Sequence, residues 1–137
     1  MYENKPSNLA PILLFVFARL DHTKRTIEAL AANELALKSD LIIYSDAARS
    51  EEEKKSVNQV REFLNSVKGF RSITVVERNK NYGLARNIIE GVTDVCNRYG
   101  RVIVLEDDLV TSPHFLSFMN SALDKYETDQ RVWHISG

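Results

Sequence analysis

Apolar runs alternate with amphipathic stretches from one end of this chain to the other. Five runs predict strands: Pro11 to Ala18, Asp40 to Ser45, Ser72 to Arg78, Arg101 to Glu106, and Val132 to Ser136. Their near-continuous apolarity is that of interior strands, buried on both faces. Between them the period lengthens to that of a helix. Thr23 to Asn33 predicts the first helix, and Ser50 to Val67 the second. In the second, Ser50 and Glu53 have capping-box spacing, and Val57, Val60, Leu64 and Val67 share a face. Leu84 to Asn97 predicts the third helix, with a stripe of Leu84, Ile88, Val92 and Val95 toward the sheet. Ser112 and Pro113 offer the cap and first turn of a fourth, whose inner face reads as Phe115, Met119, Ala122 and Tyr126. Strands alternating with helices predict an α/β fold with a parallel sheet flanked by helices. With no repeat, low-complexity tract or linker, residues 1–137 read as one domain.

Open sheets of this kind bind ligands beyond the carboxyl ends of their strands, so those positions carry the chemistry. They hold Arg19 and Asp21 after the first strand, Asp46 after the second, the Asn79 to Asn87 segment after the third, and Glu106-Asp107-Asp108 after the fourth. The last is the most informative. Four apolar residues, Val102 to Leu105, stop at three consecutive acids. Adjacent carboxylates repel one another and resist desolvation unless a cation or hydrogen-bond donors compensate them. A divalent metal, a sugar's hydroxyls, or both would do so; a solvated turn is the plain alternative. Arg19 and Arg86 suit a phosphate, with a solvated surface charge as the other reading of each. Gly83, ahead of the third helix, would let backbone N–H groups approach a ligand, or would simply make a turn.

Composition adds exclusions. A formal net charge of -1, with 44% hydrophobic and 27% charged residues, gives no pull toward nucleic acid or an anionic membrane. The single cysteine, Cys96, cannot form an internal disulfide and reads as a small core residue. No apolar run approaches the about 20 residues that span a bilayer, and the stretch from Ala10 to Ala18 lacks a signal peptide's flanks. The expected location is cytoplasmic, with peripheral membrane association of a longer protein left open. His22, His114 and His134 are too scattered to gather on a metal, and Trp133 reads as packing.

Asn81-Tyr82-Gly83-Leu84-Ala85-Arg86-Asn87 and Val104-Leu105-Glu106-Asp107-Asp108-Leu109, in this order after the third and fourth strands, resemble the nucleotide-sugar-binding half of a GT-A glycosyltransferase. The likeness is to family 2 enzymes and to the N-acetylglucosaminyltransferase I type. Glu106 in place of a first Asp favours the latter. The resemblance implies a three-layer α/β/α, Rossmann-like fold, cut after its fifth strand, with the acceptor-binding half absent. It implies Asp108 as the single protein ligand to Mn2+ or Mg2+. Glu106 and Asp107 would accept from sugar and ribose hydroxyls, and Asp46 from the imide N–H of uracil or thymine, a turn or cap role being its alternative. Arg19, Arg86 and the backbone at Gly83 would face the diphosphate.

The activity implied is metal-dependent transfer of a hexosyl or N-acetylhexosaminyl group, with inversion, from a nucleotide diphosphate sugar to a saccharide or other hydroxyl acceptor. A UDP-sugar is the favoured donor. No general base is identifiable in this chain. A binding-only, inactive nucleotide-sugar fragment is the main alternative. A sugar-nucleotide nucleotidyltransferase would need a glycine-rich loop where Phe17 to Asp21 has none, and a receiver domain would need acids after the first strand and a lysine after the fifth. Self-association through an open sheet edge is the remaining partner expectation.

Overall fold

The computed structural model describes residues 9–137. In chain order the elements are β1 (Ile12–Val16), α1 (Leu20–Ala31), a 3-10 turn (Ala36–Lys38), β2 (Asp40–Ser45), α2 (Glu51–Leu64), β3 (Ser72–Glu77), α3 (Leu84–Tyr99), β4 (Ile103–Glu106) and α4 (Phe115–Tyr126). The sheet runs β3-β2-β1-β4 and every pairing is parallel. Central β1 is buried throughout, as its unbroken ILLFV predicts. Alternation sends Ile12, Leu14 and Val16, with Leu41, Ile43, Ile103 and Leu105, to the face covered by α1, α2 and α4. Leu13, Phe15, Ile42 and Tyr44 face α3.

Two helices present different faces from those the periodicity predicts. On α3 the buried residues are Asn87, Gly91 and Val95, while Leu84 is 63% exposed. Gly91 is the point of closest approach: a Cβ there would lie 2.9 Å from the Phe15 ring. The helix therefore lies on its glycine, and Ile88 and Val92 flank the contact instead of centring it. On α4 the buried residues are Leu116, Met119 and Asn120, and Tyr126 is exposed. Two polar ties fix that rotation. Asn33 Oδ1 accepts from the Leu116 N–H at 2.9 Å, capping the helix from the end of α1, and Asn120 Oδ1 accepts from the Ala10 N–H at 2.8 Å.

The fifth strand expected over Val132 to Ser136 is absent: these residues are irregular. A strand needs a ladder partner for its N–H and C=O groups. Among the described residues β4 pairs only with β1, Trp133 is 93% exposed, and its ring N–H donates to the Gln130 carbonyl. The sheet of the described residues thus has four strands. The capping box at α2 also takes another form. Ser50 makes no side-chain cap, and Glu53 reaches one residue further back to accept from the Arg49 N–H at 2.9 Å.

Candidate functional site

Parallel strands deliver their carboxyl ends to one rim, and a cavity of about 360 Å3 opens there. Arg19, Asp46, Gly83, Glu106, Asp107 and Asp108 all line it, joined by Phe17, Arg49, Asn81 and Asn87. Residues from four separate stretches therefore share one site. Its size lies in the range of small-molecule pockets, roughly 300–1,000 Å3. A larger cavity of about 810 Å3 follows the outer side of β4, lined by Tyr99, Val104 and Trp133 among others, and includes none of the strand-end acids.

The three acids are not equivalent. Glu106 ends β4 half-buried, and Asp107 is buried with Oδ1 accepting from Arg19 Nη2 at 2.8 Å. That bond offsets the desolvation of Asp107 and aims the half-exposed Arg19 guanidinium along the rim. Asp108 is exposed, with no hydrogen bond or ion pair to a described residue. Among the described residues no group of three or more His, Cys, Asp or Glu is arranged to hold a metal. An exposed, uncompensated carboxylate suits a hard cation whose remaining ligands come from a bound molecule and water.

Asp46 is 6% exposed and its carboxylate is fully engaged. Oδ1 accepts from the N–H groups of Ala47 and Tyr82, both at 2.9 Å, and Oδ2 from the Gly83 N–H at 3.1 Å and from Asn81 Nδ2 at 3.2 Å. Four donors take up the two oxygens' roughly four acceptor positions. The residue that the resemblance assigns to a base N–H here clamps the Asn81 to Gly83 turn and supplies a negative charge at the start of α3. Gly83, the N-cap, has φ 79° and ψ 157°, and a Cβ on it would meet nothing within 4 Å. Glycine stands there for its backbone conformation, since there is no close neighbour.

Arg86 does not line the cavity. Its guanidinium lies 4.1 Å from the Tyr82 ring centroid, and its Nε donates to Glu90 one turn on at 2.9 Å. Arg78 covers Tyr82 as well, at 4.3 Å, and its Nε donates to Asn87 Oδ1 at 3.1 Å. Both partners, an i to i+4 carboxylate and a stacked ring, are local to the start of α3.

Two arginines escape sequence reasoning. Arg61, in the last turn of α2, donates through Nη2 to the carbonyls of Ser45, Asp46 and Arg78 and through Nε to Ser45 Oγ, locking the ends of β2 and β3 together. Nothing in the helical pattern marks it. Arg49 lines the cavity and stands over the Phe17 ring at 5.6 Å. Its position four residues past the second strand was the only available signal.

The four-stranded parallel sheet flanked by helices is an α/β fold that solved glycosyltransferase structures share. The fold is similar to S. aureus TarS, with a TM-score of 0.62 at 9% identity over 93% of this chain and 23% of that one. It is also similar to the Pyrobaculum calidifontis mannosyltransferase PcManGT, solved with GDP-Man and Mn2+, with a TM-score of 0.54 at 14% identity over 94% of this chain and 37% of that one. No curated protein matches in sequence. The GNT-I family model matches residues 2–137, and the chain belongs to that family. It spans about a quarter of TarS and somewhat over a third of the mannosyltransferase.

Proposed function

We propose that the strand-end cavity binds a nucleoside diphosphate sugar, UDP-linked, as the donor of glycosyl transfer to a hydroxyl acceptor with inversion. The observation that carries this reading is the meeting of Arg19, Glu106, Asp107 and Asp108 in one cavity at the carboxyl rim. Family membership and the GDP-Man and Mn2+ bound by the similarly folded mannosyltransferase support it.

Each side chain has work suited to its state. Arg19, oriented by Asp107, presents its remaining N–H groups to diphosphate oxygens. Glu106 and the second oxygen of Asp107 accept from ribose and sugar hydroxyls. Asp108 would hold Mn2+ or Mg2+, which supplies positive charge against the charge developing on the departing diphosphate. The general base that takes the acceptor's proton lies outside this set of residues. Because the chain spans 23% and 37% of its two structural neighbours, a second reading is donor binding without transfer by this chain alone.

Thermal-shift titration with UDP, dTDP and GDP, each with and without Mn2+, tests the reading on wild type and Asp108→Ala. At a hundredfold excess over the dissociation constant the expected stabilisation is about 2.7 kcal/mol, or several degrees. It should require Mn2+ and vanish in Asp108→Ala. No shift with any nucleotide would sink the donor-site reading. Nucleotide released from a UDP-sugar in the presence of hydroxyl acceptors would then separate transfer from binding alone.

A further inference from the structure

We propose that Asn33 and Thr111 are positioning residues: together they hold the segment that carries Asp108, and so set where its carboxylate stands for a cation. This rests on the donor-site reading above and adds residues to which that reading gives no role.

Asp108 does not hold itself in place. It is exposed and makes no hydrogen bond or ion pair to a described residue, so the backbone on either side must fix it. On one side stands Asp107, tied to Arg19 at 2.8 Å. On the other, β4 has ended and α4 has not begun. Residues 109–112 are irregular, and Leu109 and Val110 are 44% and 71% exposed, so neither a ladder nor core packing restrains them. Among the described residues the first hydrogen-bonded group past Asp108 is the Thr111 hydroxyl, which accepts from Asn33 Nδ2 at 3.2 Å.

Asn33 is built to hold that bond rigidly. Its side chain is buried, Nδ2 also donates to the Ala29 carbonyl at 3.0 Å, and Oδ1 accepts from the Leu116 N–H at 2.9 Å. With both N–H groups and the oxygen engaged, the amide has one orientation. Capping α4 accounts for the bond to Leu116, but the bond to Thr111 adds nothing to the helix.

The two holds stand at opposite ends of one element. Arg19 immediately precedes α1 and Asn33 lies two residues beyond it. The segment from Asp107 to Thr111, at most about 14 Å when fully extended, is therefore strapped to α1 at both ends. Asp108 sits next to one tie and three residues from the other. A carboxylate carried on a segment tied at one end only loses freedom when a cation binds, whereas one tied at both ends is preorganised.

Thr111→Val removes the hydroxyl with little change of shape. The start of α4 stays docked through the Asn33 cap on Leu116 and through the Pro113 carbonyl, which accepts from the Glu34 N–H at 3.2 Å. The test titrates Mn2+ at fixed UDP and reads nucleotide bound to wild type, Thr111→Val and Thr111→Ser, with folding checked by circular dichroism. Partners that orient a metal ligand are worth roughly tenfold or more in metal affinity, so the Mn2+ needed for half-maximal binding should rise about tenfold in Thr111→Val. Thr111→Ser keeps the hydroxyl and should restore the wild-type requirement. An unchanged requirement in Thr111→Val, or a rise that Thr111→Ser does not reverse, would overturn the positioning role and leave the donor site intact. Wild type that shows no Mn2+-dependent binding of UDP would overturn both.

Discussion

A carboxylate buried as deeply as Asp46 must find donors, and the donors it finds belong to the turn before α3. Hydrogen bonds to a charged group are worth about 1.5–3 kcal/mol each, though several on one group do not add. Asp46→Ala leaves the Tyr82 and Gly83 N–H groups without their acceptor, so the expected loss is about 3 kcal/mol in urea denaturation. Asp46→Asn keeps one accepting oxygen and should lose less. If Asp46→Ala were as stable as wild type, the clamp would not be structural. The sequence placed an acid at this strand end correctly, but three of its four donors come from residues 35 to 37 positions away, and no spacing rule connects them.

Among the elements, α3 shows most clearly how packing overrides pattern. Glycine inside a helix is ordinarily a liability of about 1 kcal/mol relative to alanine. At Gly91 the opposing effect is larger: an added Cβ would stand 2.9 Å from Phe15, itself packed against Tyr44 with ring centroids 5.8 Å apart. Overpacking of this kind costs about 1–3 kcal/mol, so Gly91→Ala should be net destabilising by about 1 kcal/mol in equilibrium unfolding, against its helix propensity. A stabilised variant would mean that α3 is free to lift.

The start of β2 supplies a pH test at the same scale. Arg71, through Nε at 2.8 Å, and the Ser72 hydroxyl at 2.7 Å donate to Asp40, and they hold its carboxyl below the ordinary 3.8. A pKa lowered by folding contributes stability above the unfolded value that is lost as pH falls through the folded one. Asp40→Asn should therefore be less stable at pH 7, with a shallower decline below about pH 4. Parallel acid limbs for the two proteins would remove Asp40 from that transition.

On the scale of the whole molecule the two faces of the sheet are unequally covered. Leu14 is enclosed by α1, α2 and α4, whereas Leu13 belongs to the smaller cluster under α3, beside the part-exposed Val104. Leu→Ala substitutions in cores cost about 2–5 kcal/mol, depending on how far the site can collapse. Leu14→Ala should fall near the top of that range and Leu13→Ala near the bottom; equal losses would contradict the asymmetry. The alternation of strands and helices, the central burial of β1 and the acids at the end of β4 were determined by the sequence alone, because hydrophobic period and strand-end position are local properties. Only the tertiary structure decided that Val132 to Ser136 forms no strand, that α3 lies on Gly91, that Arg86 turns to Glu90 and Tyr82, and that Arg61 and Arg49 serve the rim. Each of these depends on which distant group is within reach of a donor, a ring or a ladder edge, and that distance exists only once the chain has folded.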